Sequence, residues 1–159
     1  CILSGRAANY YDFRGLGTSV YAHRDSAHTA LDLALRQLRH RACDLALVGA
    51  VCQRPISGWD RHLDELVPEG RSIAEGAAVL AVTRLSTALE HDLPVLGSLS
   101  TTVEATDPRR PATPGHALPV LADAGHTYLS LDALLAVLKA VSTGTDTVVT
   151  PAAPGSPLI

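Results

Sequence analysis

Residues 15–51, GLGTSVYAHRDSAHTALDLALRQLRHRACDLALVGAV, limit the possible folds more than any other stretch: they read as a strand, a sharp turn, a long buried helix and a second strand. From Asp25 to Arg39, the residues Ala27, Ala30, Leu31, Ala34 and Leu38 recur at helical spacing, and Asp25 or Ser26 is placed to cap the first free amides. Small residues in the first two turns suit close packing under a sheet or against a partner helix. Arg36, Arg39, His40 and Arg41 gather at the helix end, where cations complement the dipole. The opening turn, His23-Arg24-Asp25-Ser26, is where a unit of this kind presents a reactive group, and it holds no cysteine.

Residues 44–51 and 76–85 are nearly continuous apolar runs and read as strands buried on both faces. Residues 94–105 alternate more and are rich in Thr, Ser and Val, as an outer or half-buried strand is. Four prolines make 106–119 a loop. Residues 129–141, apolar nearly all round, predict a second buried helix. A short strand at 146–150 and a flexible Pro/Gly-rich tail at 151–159 complete the chain. Strands alternating with helices indicate a layered α/β fold. One domain over residues 1–159 is expected, since a chain of this length buries around 70% of its unfolded surface.

Composition removes several classes of function. A net charge of -3 and no basic cluster beyond Arg109-Arg110 leave no footprint for nucleic acid or anionic lipid. The longest apolar run, 133–141, is interrupted by Lys139 and is too short to span a bilayer. Cys1, Cys43 and Cys52 fit neither a zinc spacing nor a disulfide framework, so a reducing cytoplasm is the expected compartment. No signal sequence is visible, and a start at Cys1 rather than Met suggests a fragment or a processed product. Asp60, His62 and Asp64 do not share one helical face, so WDRHLDEL reads as solvated surface and no metal site is expected. Trp59 beside it covers local core or anchors a partner.

In order, SGRAANYYDFRG, the turn and helix, CDLALVGAV, EGAAVLAVTRLSTAL and GHTYLSLDALLAVLKAV resemble the β-ketoacyl synthase family of polyketide and fatty acid assembly. The resemblance implies a thiolase-like layered fold, trimmed, with a buried central helix packed on a mixed sheet. Gly15, Val20, Ala30, Leu31, Leu33 and Ala34 fall into register with the family's nucleophile segment, which places the nucleophilic cysteine's position on Arg24. Residues 75–89 match the family's EGAGVLVLKRLSDAL closely. Its NIGHT motif puts one catalytic histidine on His126, while the other, from VEAHGTGT, has no counterpart, the text here being Val103-Glu104-Ala105-Thr106-Asp107. The shortened segments between 51 and 75 and after 105 imply a truncated ketosynthase-like domain.

Condensation needs a thiolate to hold the acyl chain, and arginine cannot serve. The resemblance therefore implies a non-condensing accessory subunit that binds acyl-carrier protein, a catalytic ketosynthase or another synthase subunit, as a homo- or hetero-oligomer. Arg24, His28 and Thr127 are the expected substrate-binding residues, with Arg24 suited to a phosphate or carboxylate. No cofactor is implied beyond a substrate carried on phosphopantetheine. An alternative is a dehydratase or decarboxylase acting on the carrier-bound thioester through His126, His23 and Asp25. Another is a structural dimerisation module of a larger synthase.

Overall fold

The computed structural model describes residues 2–53, 67, 72–99 and 126–144. Helix α1 (Ile2–Tyr10) leads into an irregular stretch and a 3-10 turn, His23–Asp25, which opens α2 (Ser26–Arg39). Strand β1 (Leu45–Cys52), the short β2 (Ser72–Ile73), β3 (Gly76–Thr83) and helix α3 (Leu85–Glu90) follow. Strand β4 (His126–Thr127), a second 3-10 turn, Leu129–Leu131, and α4 (Asp132–Thr143) complete the described chain.

Helix α2 forms where the periodicity predicts it, and Ala27, Leu31, Ala34 and Leu38 are its buried stripe. Its end is a Schellman arrangement: Ala42 N–H donates to the Gln37 carbonyl at 3.0 Å and Arg41 N–H to that of Leu38 at 3.2 Å. Arg41 accordingly takes a left-handed φ of 56°. The Arg84 guanidinium then ties this end to the sheet by donating to the carbonyls of Leu38 (2.9 Å) and Cys43 (2.8 Å). It also pairs with the exposed carboxylate of Asp44.

Strands β1 and β3 pair antiparallel from Leu45↔Thr83 to Cys52↔Gly76, whereas β2 and β4 pair in parallel. Both strand senses are therefore present, in two small sheets. On the inner face of β1–β3, Val48, Cys52 and Ala78 join Ala27, Leu31 and Ala34 of α2 and Leu131, Leu134 and Val137 at α4 in one core. Leu134 is wholly buried. Alanines at the helix contacts let both helices lie close to the strands.

Three expectations change. Residues 16–22 form no strand, because no described strand lies alongside to complete a hydrogen-bond ladder. Strands β1 and β3 are buried on one face only; Leu45, Leu47, Val51 and Val79 on the other are each more than half exposed. An apolar run discloses two hydrophobic faces but not whether both are covered. Residues 93–99 are irregular, with Gly97 so close to α4 that a Cβ there would lie 3.0 Å from Val141 Cγ2. The expected strand's remainder, the proline loop, residues 54–66 with Trp59, the 146–150 strand and the tail lie outside the described residues.

Helix 129–141 is buried as expected along Ala133, Leu134, Ala136 and Val137, but Leu138 is exposed and the α-helix proper begins at Asp132. Among the described residues, no helix is long and apolar enough to cross a membrane.

Candidate functional site

Two helix-opening turns meet at one end of the core: His23–Asp25, ahead of α2, touches Leu129–Leu131, ahead of α4. Both bend through a left-handed residue other than glycine, His23 with φ 48° and Leu129 with φ 45°. This conformation costs roughly 1–2 kcal/mol for an L-residue and persists where surrounding bonds hold it.

At the first turn a serine does the holding. Ser26 Oγ accepts from the Ala22 N–H at 2.9 Å and donates to the His23 carbonyl at 2.7 Å. Neither it nor Asp25, the N-cap residue, makes a side-chain bond to the helix's free amides, contrary to the capping expected of them. Ser26 instead reaches back into the turn that precedes the helix. His23 is exposed, with its ring tilted against that of Tyr21 at 5.0 Å between centroids. Arg24, Asp25 and His28 are half-buried.

The second turn is closed from within. Thr127, only 2% exposed, donates its hydroxyl to Asp132 Oδ2 at 2.8 Å and accepts from the Leu129 N–H at 3.2 Å. Asp132 Oδ1 accepts from the Tyr128 N–H at 2.8 Å. Both carboxylate oxygens are thus engaged at the start of α4, where negative charge is favoured. The Ala74 N–H donates to the Thr127 carbonyl at 2.9 Å, fixing β4 to the β2–β3 connection. Gly76 makes that approach possible, since a Cβ on it would meet the Tyr128 ring at 3.1 Å and Leu131 Cδ2 at 3.3 Å.

His126 stands on the exposed side of β4, directly paired in register with Ser72. Its Nδ1 lies 2.6 Å from Ser72 Oγ. Fifty-four residues separate this pair, and no motif or periodicity marks it. Of the predicted site residues, His23, Arg24, Asp25 and His28 share the first turn and the opening of α2, and His126 and Thr127 share β4.

The buried thiol nearest this chemistry, Cys52, ends β1 opposite Gly76. Burial pushes its pKa up, and the carboxylates of Asp132 and Glu75 add to the shift. The thiol is therefore held protonated, the reverse of what a nucleophilic cysteine requires.

Residues 1–62 match the family described as β-ketoacyl synthase, N-terminal domain. Over 113 residues the chain is 34% identical to the erythronolide synthase of Saccharopolyspora erythraea, a match covering 62% of this chain and 4% of that protein. Over 111 residues it is 32% identical to a PKS-NRPS hybrid synthetase of Aspergillus candidus, covering 61% of this chain and 4% of that protein. The matched region thus spans about one twenty-fifth of the length of these relatives.

Proposed function

We propose, from a chain whose residues 1–62 match the β-ketoacyl synthase N-terminal domain, that it acts without condensing: it recognises a carrier-bound acyl thioester. The observation that carries this reading is the first turn itself. Arginine occupies the position that the family resemblance assigns to the nucleophile, at the mouth of α2. A guanidinium cannot form a thioester, and Cys52, held protonated in the core, cannot take over the role. Arg24 is instead suited to a phosphate or carboxylate, the anionic groups of phosphopantetheine-borne substrates. His23, Asp25 and His28 share the first turn and the opening of α2 with Arg24, and His126 and Thr127 on β4 complete the polar residues of this reading.

Association with a ketosynthase or another synthase subunit, or with a second copy, belongs to the same reading. Its support is the apolar outer face of β1–β3, where Leu45, Leu47, Val51 and Val79 are exposed. The test is titration with acyl-carrier protein, loaded and unloaded, followed by calorimetry. Binding of the loaded carrier, weakened about tenfold in Arg24→Ala through loss of a charge-assisted contact, is the expected result. No binding of either carrier form refutes the reading.

A dehydratase or decarboxylase reading is favoured by one observation, the exposed His126 bonded to Ser72. A positioned imidazole moves protons effectively. Turnover of a β-substituted acyl-carrier thioester, lost in His126→Ala with the fold intact, selects this alternative.

A further inference from the structure

We infer that Ser72 is the positioning residue of His126: its hydroxyl donates to Nδ1 and thereby holds the neutral ring with its proton on Nε2. The geometry is local and specific. Ser72 and His126 are register partners across the parallel β2–β4 pair, and 2.6 Å separates Oγ from Nδ1. In a histidine, Nδ1 is the nitrogen next to the backbone and Nε2 the outer one, so a hydroxyl on the neighbouring strand takes the near nitrogen and leaves the far one facing out. The bond made by one ring nitrogen sets the state of the other. A hydroxyl can donate or accept, and donation matches the neutral ring's own preference for a proton on Nε2.

The rest of the strand pair holds the contact in register. The Ala74 N–H bond to the Thr127 carbonyl and the Thr127–Asp132 bond fix the β4 backbone at the residue that follows His126. In consequence His126 presents a hydrogen-bond donor, and a base only after a tautomer change. This deepens the proposed function and rests on it for its biological use, though not for its physical content: a donor at this position suits a carbonyl oxygen of an acyl thioester.

The experiment is long-range nitrogen–proton correlation NMR on the full chain, labelled at histidine, in alkaline buffer where imidazole is neutral. The expected wild-type pattern for His126 is a protonated Nε2 and a bare Nδ1. In Ser72→Ala the ring should move toward the mixed pattern of a solvent-exposed histidine, and Ser72→Thr, which restores a hydroxyl, should return it to the wild-type pattern. An unchanged melting temperature in Ser72→Ala confirms that the strand pair persists. In parallel, Ser72→Ala should weaken binding of loaded acyl-carrier protein about fivefold. A proton on Nδ1 in the wild type, or identical patterns in wild type and Ser72→Ala, overturns the inference. If the tautomer pattern is as expected and the carrier does not bind at all, the positioning role of Ser72 stands and the carrier-binding function falls.

Discussion

The turns ahead of α2 and α4 are built to similar plans and finished differently. Each is a single 3-10 turn, each contains a left-handed residue other than glycine, and the two touch. The second is internally complete: a buried threonine, an aspartate at the start of the α-helix and three backbone amides satisfy one another. The first is held by one serine that bonds backwards, and its charged residues are half-buried or exposed. The difference separates two demands on a helix start. A turn whose polar groups are used internally is stable and chemically quiet, whereas one that leaves its histidine exposed and its arginine partly so is open to a ligand at some cost in stability.

Mutations at matched positions should expose the asymmetry. Asp132→Ala is expected to have the largest effect, about 2–4 kcal/mol of lost stability, because it removes the acceptor of two hydrogen bonds and leaves the buried Thr127 hydroxyl without its partner. Urea denaturation measures it. Gly76→Ala should cost about 1–3 kcal/mol, since the added methyl meets Tyr128 and Leu131. It should also broaden the NMR signals of His126 and Thr127, which the turn holds in place. Ser26→Ala, the matching change at the first turn, should cost only about 1 kcal/mol. If Ser26→Ala proves as damaging as Asp132→Ala, the two turns are equally closed and the comparison fails.

A pH series sharpens the same contrast from the core side. The Cys52 pKa is raised above the ordinary cysteine value of 9.0, so the folded chain keeps this proton after the unfolded chain has lost it. Its contribution is complete below about pH 9 and declines as the pH rises toward the folded value, because the unfolded state then binds fewer protons than the folded one. Wild-type stability should therefore fall more steeply than that of Cys52→Ala in denaturation series from pH 8 to about pH 10. Equal slopes would mean that the thiol ionises as easily folded as unfolded. The smallest effect is expected for His23→Gly: relief of the left-handed strain is offset by the greater chain entropy of glycine, so the net change should stay within about 1 kcal/mol.

Local pattern made much of this legible in the sequence. The spacing of Ala27, Leu31, Ala34 and Leu38 located α2 to within a residue at its start, and the apolar runs located β1 and β3. The absence of a cysteine at the turn could also be read directly. Pattern did not disclose what depends on neighbours. Residues 16–22 are extended-looking but lie beside no described strand, and the outer faces of β1 and β3 are as apolar as the inner ones while remaining exposed. Helix α1 carries no strong periodic signal, and the sequence gives no expectation of a helix there. The Ser72–His126 bond joins two short strands far apart in sequence, so nothing local could announce it. Ser26 and Asp25 both have capping chemistry, but which groups they bond is decided by the shape of the preceding turn.

The central claim is that the turn at Arg24 does not hold an acyl chain. Intact-mass measurement after incubation with a loaded acyl-carrier protein tests it most directly. The account predicts an unchanged mass, with carrier bound only reversibly; a stable acyl adduct on the chain would contradict it.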